Sequence, residues 1–287
     1  MSTQNLKSDF EFCRLIHKKY GKSYYFATKF FPKDLRNATY ALYAFFRLPD
    51  EIVDSQKDKT TTETNKELQQ FKQQWEQAYT TGQSNSPALR ANSYVFKKYS
   101  IPYEYSESFL DAMVQDTHVA RYATYQDLEK YMYGSASVVG LMMSYVIGFS
   151  DKQALEYAKK LGYAMQLTNF LRDIKEDYVQ RGRIYMPLDE LARFGLREED
   201  IAQEKMSENF VDFMKFQINR TRELFKEADI GIPMLSQKGR FAVKIAAVLY
   251  GHILHEIEKL DYNIYKQRAR VSVTKKILLL IKTALTT

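Results

Sequence analysis

Apolar positions recur every three or four residues along most of this 287-residue chain, which is the periodicity of amphipathic helices. No strand is predicted apart from short edge pieces around residues 184–186. We therefore expect an all-α fold, and a single domain over residues 1–287 because no break in composition divides the chain. The predicted helices cover residues 4–20, 33–54, 65–79, 87–99, 103–118, 124–148, 151–178, 207–228, 238–260 and 272–285.

Polar segments and prolines mark where these helices end. Residues 55–65 carry no apolar anchor and predict a mobile loop, and residues 80–87 and 231–239 predict two more. Pro32 is typical of a helix start at the next residue. Pro49 lies inside a predicted helix but has no N–H to donate, so it indicates a kink or a final turn.

Composition and charge narrow the function classes. The net charge of +7 suits anionic partners such as phosphorylated small molecules or acidic lipid headgroups. Nucleic acid is not expected, because the basic residues form no single stripe and no nucleic-acid motif occurs. Cys13 is the only cysteine, which excludes an internal disulfide and a cysteine-built zinc site. The longest apolar run near the end, residues 277–281, is far short of the ~20 that span a bilayer. With no secretory leader in the first residues, a cytoplasmic location is expected.

The first candidate chemistry is an acidic pair at the end of predicted helix 33–54. Asp50 and Asp54 are four residues apart, so their carboxylates share one helix face with Cβ atoms about 5–6 Å apart. Like charges at this spacing destabilise a bare helix, and no basic residue stands four positions on to relieve them. The pattern indicates either a bound cation or a plain solvated face.

A second oxygen-rich stripe lies on predicted helix 151–178. Asn169, Asp173 and Asp177 recur every four residues, with Gln166 one turn earlier, on a helix that is otherwise largely apolar. Burying such a stripe is costly unless a cation is shared. Magnesium fits this pattern, because it takes one or two carboxylates and completes its shell with water and phosphate oxygens.

Arg47 and Arg172 flank the two acidic stripes. Guanidinium groups bind phosphate oxygens in pairs, so both arginines are candidates for gripping the same diphosphate as the metal ions. Metal ions stabilise a leaving diphosphate, and ionisation then leaves an allylic carbocation. Such a cation needs a dry pocket with aromatic faces, which 22 Tyr and 18 Phe can supply.

The second stripe resembles the squalene/phytoene synthase family of head-to-head prenyl synthases. The run YAMQLTNFLRDIKED at residues 163–177, followed by RGRIYMP at residues 181–187, is similar to the family signature nearly residue for residue. Other blocks agree in order, so the resemblance covers roughly residues 10–276. These blocks are residues 20–26, 43–54, 113–122, 131–140, Tyr250 and residues 270–273.

The resemblance implies an isoprenoid-synthase fold around a central cavity and a Mg²⁺-dependent prenyltransferase. The implied reaction condenses two geranylgeranyl diphosphates into phytoene through a cyclopropyl (prephytoene) diphosphate, with release of diphosphate. Glu51 stands where many members carry Asp, and this form resembles the phytoene-forming branch. Thr28 is small and lies one turn beyond Tyr24, which favours a longer substrate.

The resemblance also implies roles for individual residues, with about two to three Mg²⁺ ions and no NADPH. The implied catalytic residues are Asp50, Asp54, Asp173, Asp177, Arg47 and Arg172. The implied metal ligands are Asp50, Asp54, Asn169, Asp173 and Asp177, with Glu51 behind them. The implied substrate-binding residues are Lys22, Ser23, Tyr43, Arg47, Tyr133, Gln166, Arg172, Tyr250 and Arg270. Arg183 and Tyr185 have either a structural or a functional role.

Two alternatives stay open. Squalene or dehydrosqualene formation from farnesyl diphosphate uses the same fold, and squalene formation would require NADPH. A catalytically inactive assembly-factor relative belongs to another class, which both intact acidic stripes disfavour. The expected partners are prenyl diphosphates, and a monomer is expected. The basic and apolar segment 275–282 indicates either peripheral membrane contact or a terminal helix docked on the core.

Overall fold

The computed structural model describes residues 3–54 and 59–286, and helices make up most of it. Residues 55–58, which begin the first predicted loop, lie outside the described residues. The helices are α1 (Thr3–Tyr20), α2 (Lys22–Thr28), α3 (Lys33–Asp54), α4 (Thr61–Thr81), α5 (Pro87–Tyr99), α6 (Tyr103–Gln115), α7 (Tyr125–Met132), α8 (Val138–Ile147), α9 (Gln153–Arg181), α10 (Leu188–Arg193), α11 (Glu198–Ala202), α12 (Glu208–Gly231), α13 (Gln237–Lys259) and α14 (Val273–Thr286).

Helix α9 lies at the centre of the fold and packs most extensively against α12, with α8 and α13 also against it. Helices α1, α3 and α5 pack on one another beside this centre. The core that α3 and α5 share with α4 is aromatic, with the ring of Trp75 against those of Phe45 (4.8 Å between centroids) and Phe96 (5.0 Å). The Trp75 indole donates a hydrogen bond to the Ser106 hydroxyl (2.9 Å), so its one polar atom is satisfied inside the core.

The all-α prediction is confirmed, and the long helices begin and end close to the predicted bounds. In the described residues, positions 184–186 form no strand, since Ile184 makes only an isolated bridge to Arg121. Helix α4 begins at Thr61, four residues before its predicted start, because Thr60 and Glu63 form a reciprocal capping box. The short helices α2, α10 and α11 were not predicted, since they are too brief to show a period.

Helix α3 continues past its proline. Pro49 is buried inside the helix, and the helix ends only at Asp54, so the last turns carry the acidic pair. Pro32 precedes the start of α3 at Lys33 as predicted. The acidic pair is therefore held on a regular helix rather than on a loop.

A π-helical turn, Tyr133–Ser137, joins α7 to α8 and brings the backbone close to two neighbours. A Cβ on Gly134 would lie 2.5 Å from the Ser108 carbonyl oxygen, and one on Gly162 of α9 would lie 2.7 Å from the Ala136 carbonyl oxygen. Only glycine permits these approaches. Such π turns often occur at functional sites.

No helix in the part of the chain that the structure describes has the length and apolar character needed to cross a membrane.

Candidate active site

A cavity of about 560 Å³ runs between α3, α8, α9, α12 and α13. Carboxylates and arginines line one end, which we call the mouth. Small and apolar side chains line the interior, among them Phe31, Ala154, Ala158 and Ala242. The site therefore joins a charged end to a hydrocarbon-like interior.

The α3 side of the mouth holds the first acidic stripe. The Arg47 guanidinium donates to the carboxylates of Asp50 and Glu51 and lies 4.0 Å from that of Asp54. Burial, together with the charge of Asp54, raises the pKa of Asp50 to about 7. The 40% of the Asp50 side chain that is accessible faces the cavity, because Asp50 lines its wall.

The α9 side holds the second stripe, and its two aspartates differ in charge environment. Burial alone would raise the pKa of Asp173, but hydrogen bonds from Arg172 and Arg268 lower it below its ordinary value. Arg268 binds both oxygens of Asp173, at 2.7 and 2.8 Å. Burial and the nearby Asp173 raise the pKa of Asp177 to about 7. Asp50 and Asp177 thus have raised pKa values although each accepts a hydrogen bond from an arginine.

Arg181 joins the two stripes. It is the last residue of α9, and its Nε and Nη2 donate to the two oxygens of Asp54 on α3, at 2.8 and 3.1 Å. Its Nη1 donates to Asp177, one turn earlier on its own helix, at 3.1 Å. The predicted meeting of the two acidic stripes is therefore present, with a guanidinium between them.

Behind the mouth lies a buried polar cluster that includes Arg183 and Tyr185, for which the sequence indicated either a structural or a functional role. Arg183 donates to the side chain and backbone of Asp116 at 3.2 and 2.6 Å, and the Tyr185 hydroxyl donates to Asp116 at 3.1 Å. The Tyr185 ring stacks on Phe170 (4.1 Å, 11°). All four residues line the cavity, so this group supports its wall directly beneath the carboxylates.

Aromatic side chains and a methionine line the cavity next to the mouth. The Tyr24 and Tyr250 rings are 4.9 Å apart, and the Tyr24 hydroxyl lies 3.0 Å from the Met165 sulfur. Tyr43 stacks face to face on His17 (3.9 Å, 8°), whose pKa burial lowers to about 3. Faces of this kind stabilise a cation without reacting with it.

The structure brings most, but not all, of the predicted site residues together. The predicted residues on the cavity wall are Tyr43, Arg47, Asp50, Asp54, Gln166, Asn169, Arg172, Asp173, Asp177 and Tyr250. The predicted residues away from the wall are Lys22, Ser23, Tyr133 and Arg270, and of these Lys22 and Arg270 are exposed.

Arg268, rather than Arg270, reaches the mouth. Both follow α13 in the run QRAR, and only the fold distinguishes them, because Arg268 alone pairs with Asp173. Sequence reasoning also missed Arg181, Tyr24 and His17. Of these three, only Arg181 could have been predicted, because it is a basic residue one helical turn after Asp177.

The donor set fits Mg²⁺. Carboxylate oxygens from two facing helices, with the Asn169 amide on the same stripe, are the hard oxygen ligands that this ion prefers. Burial and neighbouring carboxylates raise the pKa of two of the carboxyls, and a bound cation would lower it again. Within residues 3–54 and 59–286, no three acidic, imidazole or thiol groups converge on one point, since arginines hold the carboxylates. Binding therefore requires these side chains to rearrange.

Known proteins resemble this chain over nearly its whole length. The family model described as squalene/phytoene synthase matches residues 17–276. Phytoene synthase 1 (chloroplastic) of Zea mays is 36% identical over 286 residues, which cover 98% of this chain and 69% of the relative. 15-cis-phytoene synthase of Synechocystis sp. is 34% identical, over 96% of this chain and 84% of the relative. A crystal structure of a dehydrosqualene synthase in complex with ligand superposes with a TM-score of 0.91 at 30% identity, covering 99% and 98% of the two chains.

Proposed function

The chain belongs to the squalene/phytoene synthase family of prenyltransferases, and from that premise we propose that it condenses two geranylgeranyl diphosphates head to head into phytoene. The observation that carries this proposal is the cavity, in which two acidic stripes face each other at the mouth of an apolar interior. The relatives from Zea mays and Synechocystis are phytoene synthases, which supports this product over others.

Residues at the mouth would bind the two diphosphates. Arg47 and Arg172 offer bidentate guanidinium groups, and Tyr43 and Gln166 lie on the same wall. Asp50, Asp54, Asn169, Asp173 and Asp177 would hold about two to three Mg²⁺ ions, which when bound supply Lewis-acid stabilisation of the leaving group.

Residues further inside would protect the carbocations. The first substrate loses its diphosphate, and attack by the double bond of the second, with loss of a proton, gives the cyclopropyl diphosphate. This intermediate loses its own diphosphate, rearranges to the linear skeleton and loses a second proton. Tyr24, Tyr250 and Phe46 line this part of the cavity and present ring faces to a cation. Packed apolar walls also exclude water, which would otherwise capture the cation as an alcohol.

The length of the α9 wall supports a twenty-carbon substrate. Lining residues run along this helix from Asp173 to Ala154, roughly 28 Å at about 1.5 Å per residue. With carbon–carbon bonds like those of an extended backbone, a twenty-carbon prenyl chain spans roughly 18 Å and a fifteen-carbon chain roughly 14 Å. The wall therefore accommodates the longer chain together with its diphosphate.

A second candidate is dehydrosqualene formation from farnesyl diphosphate, favoured by the superposition on a dehydrosqualene synthase. One assay separates the two: purified protein and Mg²⁺ with each diphosphate, with and without NADPH, and identification of the hydrocarbon. We expect phytoene from geranylgeranyl diphosphate, independent of NADPH. Dehydrosqualene or squalene as the preferred product would replace the first proposal by the second.

Asp173→Asn should keep the helical circular dichroism spectrum but lose turnover by orders of magnitude.

We also propose that α14 lies on an anionic membrane surface, with the rest of the enzyme in the cytoplasm. Val273, Ile277, Ile281 and Leu285 recur every four residues and are exposed, with Leu285 82% accessible. The opposite side of α14 packs on α2 and α13 through Leu279 and Leu280. One helix thus has an apolar face on the core and a second apolar face towards the outside.

Basic side chains border this outer face. Lys275 and Lys276 stand at its start, and burial together with the nearby charge of Lys22 on α2 lowers the pKa of Lys276. Apolar residues bordered by lysines match the interface of an anionic bilayer, where each basic group adds about 1 kcal/mol.

Vesicle co-sedimentation tests the contact. The full chain should bind phosphatidylglycerol vesicles more strongly than phosphatidylcholine vesicles, and Ile281→Asp should abolish this without lowering Tm. Ile230→Asp, at an exposed apolar position of α12, is the matched control and should bind normally. Equal binding by both variants would refute the role of α14.

Light scattering on the vesicle-free protein tests the expected monomer.

A further inference from the structure

Arg181 has a position that its place in the family signature does not explain. It lies at the end of α9, directly before Gly182, which adopts a left-handed backbone (φ +64°). Its side chain is 26% accessible, so it borders both the mouth and the solvent. In the described part of the chain, it is the only basic residue that pairs with acids of both stripes.

The contacts of Arg181 use the oxygens that a metal ion would need. Both oxygens of Asp54 and one of Asp177 accept hydrogen bonds from its guanidinium. A divalent cation shared by α3 and α9 would need these same lone pairs. Two cations this close would also repel each other, so guanidinium and metal cannot hold both carboxylates at once.

The other arginines of the mouth each contact the acids of one stripe only. Arg47 pairs only with acids of α3, and Arg268 only with acids of α9. Each would therefore compete with a metal ion at one stripe only, whereas Arg181 would compete at both. Arg181 alone stands between them.

We propose that Arg181 is an internal counter-cation that closes the metal site before Mg²⁺ binds and is displaced by the ion. This inference rests on the proposed function, because it assumes that the two stripes bind Mg²⁺. Displacement is sterically open, since the guanidinium borders solvent. In the absence of metal, Arg181 keeps the facing carboxylates from repelling each other and so positions α3 against α9.

Titration of the metal-free enzyme with Mg²⁺ tests this, with saturating inorganic diphosphate and calorimetric detection. Arg181→Gln should bind Mg²⁺ roughly tenfold more tightly than wild type, since a competing ligand has been removed. Its metal-free Tm should fall, and Mg²⁺ should raise that Tm by more than in wild type. Arg181→Lys keeps the charge without the paired contacts and should lie between the two.

Arg222→Gln is the matched control. Arg222 binds both oxygens of Glu258 at 2.7 and 2.6 Å, away from the cavity wall, so this variant should lower Tm but leave the Mg²⁺ affinity unchanged. Equal or weaker Mg²⁺ binding by Arg181→Gln would overturn the inference. The product assay distinguishes failure of this inference from failure of the proposed function. If the wild-type chain makes phytoene but Arg181→Gln leaves the Mg²⁺ affinity unchanged, only the counter-cation role of Arg181 is refuted.

Discussion

At the scale of single residues, the carboxyls of the mouth link metal binding to pH. Burial and neighbouring carboxylates raise the pKa of both Asp50 and Asp177 to about 7 in the folded chain, whereas an unfolded aspartate titrates near 3.8. Between these values the folded state holds protons that the unfolded state has released. Without metal, stability should therefore fall as pH rises from about 4 to about 7.

Urea unfolding of the metal-free enzyme between pH 5 and pH 8 checks this expectation. Asp50→Asn should flatten the slope, because one of the two titrating groups is removed. Mg²⁺ competes with these protons, so its affinity should rise over the same range, with protons released on binding. A stability that increases with pH in the metal-free wild type would show that the arginines already compensate both carboxylates.

The sequence predicted the positions of residues that depend only on helical spacing. Asp50 and Asp54, and the stripe that ends at Asp177, share faces of regular helices, so their positions followed from the period alone. Arg268 did not, because it lies in the irregular segment between α13 and α14, where no period says which arginine points inward. Roles there depend on tertiary contacts that a single sequence does not encode locally.

At the scale of elements, the contact between α9 and the π-helical turn shapes one wall of the cavity. In Gly162→Ala, the new Cβ would lie 2.7 Å from the Ala136 carbonyl oxygen and 2.9 Å from the Ser137 Cα, both backbone atoms that cannot rotate away. The helices must separate, so we expect a loss of about 1–3 kcal/mol in the free energy of unfolding. Turnover should fall as well, because Ala136 and Gly162 line the cavity.

Gly251→Ala is the control for this substitution. Gly251 is also inside a helix, α13, but the nearest atoms to its added Cβ are 3.9 Å away on the flexible Phe225 ring. This change should be neutral or stabilise by up to about 1 kcal/mol, the ordinary helix preference for alanine. Similar losses in both variants, measured by urea unfolding, would mean that helix propensity rather than the close approach matters at Gly162.

The elements themselves were predictable to different degrees. Long helices such as α3 and α5 carry a full apolar period and end at recognisable signals, and their bounds agree with the predicted ones. The π-helical turn was predicted only as part of one helix over 124–148, because its extra residue per turn has no local signal. It exists because Gly134 and Gly162 permit the close packing there, which is a tertiary property.

At the scale of the whole molecule, the depth of the cavity connects fold to product. Thr28 lies on the cavity wall, is buried, and donates its hydroxyl to the Tyr24 carbonyl oxygen at 2.8 Å. A ring at this position would fill space that the far end of a longer chain needs. Thr28→Phe should therefore lower kcat/KM for geranylgeranyl diphosphate relative to farnesyl diphosphate by about tenfold, since each lost methylene contact counts for one to three kcal/mol.

Competition between the two diphosphates in one reaction measures this ratio directly. Thr28→Val has nearly the volume of threonine and should keep the wild-type preference, although it loses the hydroxyl bond. Overpacking also destabilises, so Tm must show that Thr28→Phe is folded before its kinetics are interpreted. An unchanged preference in a folded Thr28→Phe would place the length limit elsewhere along the α9 wall, where Tyr157 packs against Gly231 at the apolar end of the cavity.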